Sequence, residues 1–184
     1  DNHHAMDNVA KWHYAQLAKD HPAFRNRKYP DGSSAAEKYG AWNEHVKLFC
    51  EERARKGLYV ELASDNYNLV CIKSFYNYAD FAQDLVLKRR MSYLLDLHWA
   101  MWAQEQIDGV RGGGRTRIYQ TGDDRLGNSD MRALAWFYFG IGEPVRPVSP
   151  LLAALTSAWR PPLAVIDLAL DIKGRGRYEV RHRP

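Results

Sequence analysis

Apolar residues recur at helical spacing along almost the whole chain, and this repetition constrains the fold more than any other feature. Met6, Val9, Ala10, His13, Tyr14 and Leu17 follow the i, i+3, i+4, i+7 order, which predicts a helix over residues 4–19. His21-Pro22 ends it, and a polar loop with Pro30-Asp31-Gly32 follows. Ser33 or Ser34 can cap the next helix, and Glu37, three residues after Ser34, completes a capping box. Its apolar stripe is Tyr39, Trp42, Val46, Phe49 and Cys50. Its end is Arg53-Ala54-Arg55-Lys56-Gly57, with cations in the last turn and glycine after them.

The segment Leu58-Tyr59-Val60-Glu61-Leu62 reads as short and extended. Ser64 or Asp65 caps a third helix that runs to Asp80. A fourth spans Ala82 to Ile107, with Leu85, the stem of Lys88, Met91, Leu95, His98, Trp99 and Trp102 facing inward. Asp108-Gly109 stops it, and residues 109–129 form a loop rich in glycine and arginine. Met131 to Phe139 is a short aromatic helix. Pro144, Pro147 and Pro150 punctuate the next connection, and residues 151–159 and 163–171 read as two more short helices. The tail Arg177-Tyr178-Glu179-Val180-Arg181 alternates and predicts the start of a β-strand. The expectation is an all-α chain of about seven helices in hairpin order. Residues 1–172 would form one helical domain, and 173–184 an extended tail or linker to a following β domain. A lone strand cannot satisfy its own backbone groups, so more protein is expected beyond it.

A chain of 184 residues fits one domain with a real core. Six Trp and eleven Tyr are many for this length. Such residues fill helical cores, and they also line sugar-binding surfaces, where a flat apolar face and one polar tip are useful. The net charge is only +4. Arg111-Gly112-Gly113-Gly114-Arg115 and Gly174-Arg175-Gly176-Arg177 resemble phosphate-contacting segments, but Asp123, Asp124 and Asp130 follow closely, and no nucleic-acid partner is expected. No apolar run approaches the roughly 20 residues of a membrane helix, so no membrane partner is expected either. Cys50 and Cys71 sit in apolar helical contexts and read as buried free thiols rather than a disulfide framework.

The opening Asp1-Asn2-His3-His4-Ala5-Met6 places an amide and two imidazoles just ahead of an aromatic helix. That is a catalysis-capable strip. His-His-Ala-Met also fits the remnant of an expression tag, although Asp-Asn before it and Asp-Asn-Val after it do not look like vector sequence. His3, His4, Asp7 and His13 show no metal-ligand spacing such as His-Glu-x-x-His, and neither a metal nor a cofactor is expected. The run Gly112-Gly113-Gly114 lacks the Lys-Ser/Thr ending of a phosphate loop.

Several short motifs then fall in a telling order: Asn-His at a helix start, Gly57-Leu-Tyr-Val-Glu-Leu-Ala-Ser-Asp-Asn-Tyr67, Ala79-Asp-Phe-Ala-Gln-Asp84, Leu95-Asp-Leu-His-Trp-Ala100 and Gly112-Gly-Gly-Arg-Thr-Arg-Ile-Tyr119. This order resembles the landmarks of bacterial (α/α)-toroid polysaccharide lyases, the alginate lyase and heparinase-like proteins, over most of the chain and most closely at 57–119. The resemblance implies a segment of an (α/α) toroid, a following β-sandwich, an anionic polysaccharide as partner, the rest of a parent chain as a second partner, and an extracellular or periplasmic setting. The second histidine after Asn-His departs from the usual flanking sequence and leaves open which of His3 and His4 acts.

A uronate lyase removes the proton at C5, next to a carboxylate. An amide or imidazole hydrogen bond to that carboxylate favours the enolate-like transition state, and a base and an acid complete the β-elimination. By the resemblance, Asn2 binds the carboxylate, His3 assists it or acts as base, and Tyr67 is the base and acid. His4, Glu61, Arg115, Arg117 and Tyr119 are the substrate-binding candidates. The arginines would lower a tyrosine pKa or grip a substrate carboxylate, Glu61 would orient an imidazole or bind a hydroxyl, and Tyr119 is an alternative acid. Two other readings stay open. A glycoside hydrolase on the same fold needs two carboxylates about 5 to 10 Å apart, with Asp65, Glu61 and Asp80 as candidates. A non-catalytic carbohydrate-binding or scaffold toroid needs only the aromatic groove.

Overall fold

The computed structural model describes residues 1–58, 60–112, 130–142, 151–171 and 173–174. The described residues form seven α-helices: α1 (Asn2–Asp20), α2 (Ala35–Lys56), α3 (Asp65–Phe81), α4 (Leu85–Glu105), α5 (Asp130–Phe139), α6 (Leu151–Thr156) and α7 (Leu163–Leu170). A 3₁₀ turn, Val60–Ala63, links α2 to α3. A two-stranded hairpin, β1 (Gln106–Ile107) and β2 (Val110–Arg111), follows α4. The all-α expectation holds for these residues, and the predicted tail strand at 177–181 lies outside them.

The helix ends follow local chemistry. At α2, the Ser34 hydroxyl accepts from Glu37 N–H at 3.2 Å and Glu37 Oε2 accepts from Ser34 N–H at 2.6 Å, the reciprocal capping box expected from the sequence. Asp84 caps α4 by accepting from the amides of Val86 and Leu87. That cap starts α4 three residues later than the sequence pattern predicts, and it leaves Leu85 exposed rather than inward. Met91, Leu95, His98, Trp99 and Trp102 are buried as expected.

The buried face of α1 differs from the predicted one. Val9 is buried, but Met6, Tyr14 and Leu17 are exposed, and the inward stripe is Asn2, Val9, Trp12, Ala15 and Gln16. Hydrogen bonds from distant elements make this rotation favourable. Trp12 Nε1 donates to Asn43 Oδ1 at 2.9 Å. Gln16 donates to the Phe81 carbonyl at 2.8 Å and accepts from Gln83 N–H at 3.1 Å. A buried Trp and a buried Gln with all these bonds made are better inside than a Tyr whose hydroxyl would need another partner.

The extended reading of 58–62 gives way to the 3₁₀ turn because Leu58, Glu61 and Leu62 are all buried, a spacing of three and four rather than two. The loop predicted to begin at Gly109 instead opens with a tight hairpin. Asp108 and Gly109 both take positive φ, at 50° and 80°, and the Gln106 side chain accepts from Gly109 N–H at 2.9 Å. The helix predicted over 151–159 ends at Thr156, where Asp80 Oδ1 accepts from both Ser157 Oγ at 3.1 Å and Ala158 N–H at 2.9 Å.

The first four helices close a circuit in which α1 packs on α2 and α3, and α4 packs on α2 and α3. Along the chain this makes two rows, α1–α3–α5 and α2–α4, while α7 lies against α4 and α5. Between α4, α5 and the 157–160 segment lies an aromatic plate. Trp99 meets Trp102, Tyr138 and Phe139 edge-on with ring centroids 5.1–5.6 Å apart, and Trp159 meets Tyr138 at 5.5 Å. Trp159 Nε1 donates to Asp96 Oδ1 at 2.9 Å, and Tyr138 OH donates to Tyr76 OH at 2.8 Å. These rings are core, and only Trp42 of the three tryptophans on the predicted helix stripes is half-buried. Cys50 and Cys71 are buried free thiols, with burial pushing their pKa values up to about 12 and about 11.

Candidate functional site

The opening strip of the chain is docked at its first helical residue. Asp1 caps α1 by accepting from His4 N–H at 3.0 Å. Asn2 N–H, one of the donors that a helix start leaves without an intrahelical partner, donates to Glu61 Oε2 on the 3₁₀ turn. Asn2 and Glu61 are 3% and 2% exposed, so the contact is an interior one. A carboxylate at a helix N-terminus also meets the positive end of the helix dipole.

The structure thus brings together two of the candidate residues, 59 positions apart. Ser64 and Asn68 are buried beside this turn, and Asn68 Nδ2 donates to the Leu62 carbonyl at 3.3 Å. Tyr67 is half-buried on the first turn of α3, six residues after Glu61. His3 is exposed, and His4 projects outward with its Nδ1 3.8 Å from Asp1 Oδ1. Arg115, Arg117 and Tyr119 lie outside the described residues. Of the carboxylates considered for hydrolysis, Glu61 is engaged by Asn2 and Asp80 by Ser157 and Ala158, while the side chain of Asp65 lies outside the described residues.

A second polar centre closes the far end of α4. Arg111 Nε lies 2.6 Å from Glu105 Oε2, with both side chains largely buried. Gly112 N–H donates to the Glu105 carbonyl at 2.8 Å, and a Cβ at Gly112 would come within 2.9 Å of that oxygen. Glycine is required there by close approach of the backbones. About two helical turns before Glu105, His98 has no exposed surface. Burial first, and the Arg111 charge second, pull its imidazole down to about 3, so it is neutral at physiological pH.

A cleft of about 260 Å³ opens between α1, α2 and α3. Asp1, His4, Asn8 and His45 stand at its edge, over apolar walls that include Val46, Phe49, Phe75 and Tyr78. Of these residues only His4 is a site candidate from the sequence. A trace of the edge was there to be read, since His4 and Asn8 are one helical turn apart on the same face. No group of three or more metal-ligating side chains occurs among the described residues.

Comparison with family models, with curated proteins and with solved structures returns no match for this chain.

Proposed function

We propose that the chain is a carbohydrate-active unit built on an (α/α)-toroid plan, and that it carries out lyase-type β-elimination on a uronic-acid-containing polysaccharide. The observation that carries this reading is the buried contact of Asn2 with Glu61. Through the Asn2 backbone N–H it ties the start of α1 to the segment that leads into Tyr67, which supports the two regions of a lyase centre lying near one another. The two rows of helices support the architecture, because an array of α-hairpins stacks its first helices on first helices and its second on second.

In this reading Glu61 is a positioning residue that holds the first turn of α1. Asn2 supplies the amide that neutralises the substrate carboxylate, His3 or His4 assists at the exposed edge of the same turn, and Tyr67 takes the C5 proton and returns one to the leaving oxygen. The bond between C4 and the glycosidic oxygen breaks as the C4–C5 double bond forms. The test is the ultraviolet absorbance of the unsaturated product on a panel of uronic-acid polymers. Tyr67→Phe is expected to lower turnover by about 10²–10⁴-fold, the usual contribution of a general acid or base. Absence of product with every polymer overturns the lyase reading.

The burial of Asn2 and Glu61 favours a second reading, a non-catalytic binding or scaffold unit in which the opening amide only closes the fold. Binding of a polymer with no turnover, unaffected by Tyr67→Phe, selects that alternative.

A further inference from the structure

Helix α1 is apolar on two sides. Val9, Trp12 and Ala15 are buried in the bundle, while the stripe marked out by the sequence spacing faces outward. On this outward side His3, Met6, Ala10, His13, Leu17 and Asp20 follow one another at intervals of 3, 4, 3, 4 and 3 residues. That alternation is the seam of a coiled coil, the pattern one helix presents to another. Met6 and Leu17 are 43% and 61% exposed, Ala10 is exposed, and His13 is half-buried. Phe81, itself exposed, stacks on the His13 ring at 5.7 Å and widens the strip. A helix that is apolar on all sides is normally covered on all of them, and exposed apolar strips mark places where proteins meet.

We propose that this strip is the interface of a homodimer, in which α1 of one copy lies antiparallel on α1 of a second about a two-fold axis between Ala10 and His13. The intervals select that partner. They read the same in both directions, so the six positions of one helix meet those of an inverted copy in register, as a two-fold interface requires. Met6 of each copy then meets Leu17 of the other, Ala10 meets His13, and His3 meets Asp20. The apolar contacts fill the middle and the polar ones close both ends. Charge fixes the direction. A parallel pair would set Asp20 against Asp20, whereas the antiparallel pair sets an imidazole against each carboxylate. Asp20 has room for that contact. Lys19 and Gln83 both donate to its Oδ2, at 2.6 and 3.4 Å, and no bond to its Oδ1 occurs among the described residues. From His3 to Asp20 the seam runs about 26 Å along the helix. One helix pair is less than a standard protein interface, so the dimer forms in a concentration-dependent way. It goes beyond the proposed polysaccharide chemistry and does not rest on it.

Sedimentation equilibrium of the whole chain tests this. The wild type is expected to shift from monomer to dimer as its concentration rises. Leu17→Glu sets a charge against Met6 of the other copy and is expected to weaken the dimer by at least about tenfold. Leu17 is exposed in the single chain, so the circular dichroism and thermal midpoint of this variant should match those of the wild type. Met6→Glu attacks the same contact from its other side and is expected to behave alike. Mild oxidation reads the direction of the helices. Met6→Cys and Leu17→Cys proteins should form an intermolecular disulfide when mixed, and neither should do so alone. Wild type, whose Cys50 and Cys71 are buried, is the control. The proposal is overturned if the wild type stays monomeric at every concentration up to its solubility limit. It is also overturned if both glutamate variants dimerise as well as the wild type, or if each cysteine variant links to itself as readily as to the other.

Discussion

Replacing His98 with glutamine tests how deeply the α4 seam is sealed. The imidazole has no exposed surface, and its pKa lies near 3 rather than at the ordinary value of about 6.5. Between those two values the unfolded chain binds a proton that the folded chain does not. Stability therefore rises with pH through this window and is lost as pH falls through it. Between pH 7 and pH 5 the loss from this one group is about 2 kcal/mol. The figure is nearly the same for any folded pKa below about 4, because the folded protein then holds the ring neutral throughout. With a urea dependence of about 2 kcal/mol per molar, the unfolding midpoint should fall by about 1 M. Tryptophan fluorescence follows the transition, and His98→Gln removes the titrating ring while other acidic groups cancel in the difference. Parallel pH profiles for the wild type and His98→Gln would refute the reasoning, as would wild-type NMR signals showing the ring titrating between pH 5 and 7.

Three further outcomes are expected. Glu61→Ala leaves the Asn2 amide without its acceptor, so stability should drop by about 1–3 kcal/mol, and hydrogen exchange should show lost protection confined first to residues 2–5. Ser34→Ala removes the hydroxyl half of the α2 cap while the backbone N–H at position 34 still donates to Glu37, and it should cost about 1 kcal/mol in thermal unfolding. Trp99→Ala empties the centre of the aromatic plate and should cost about 3–5 kcal/mol in chemical denaturation, with a loss of near-ultraviolet circular dichroism.

What could be read from the chain was what its neighbours in sequence decide. Ser34 and Glu37 are three residues apart, and their cap is where the pattern places it. The stripe from Met91 to Trp102 is unambiguous because the apolar residues on it are large and regularly spaced. The inward side of α1 was not legible, because Trp12 and Gln16 are drawn inside by Asn43, Phe81 and Gln83, which no local spacing reveals. The 3₁₀ turn was hidden for a similar reason. Glu61 looks like a solvent-facing charge until the start of α1 arrives to use it. Asn2, Glu61 and Tyr67 were each picked out by residue type and motif, but their mutual arrangement depends on how a helical hairpin folds back. The cleft needs three helices at once, and Phe49, Phe75 and Tyr78 carry no mark separating them from ordinary core residues.

The pairing of α1 with α3 and of α2 with α4 has a mechanical consequence. In a linear stack of repeats, one unit can peel away while the others stand. Here the four longest helices each hold two of the others, so loosening any seam unbuttons the neighbouring ones. The amino-terminal half should therefore melt in a single step, and a proteolytic nick between α1 and α2 should leave the two pieces clasped together.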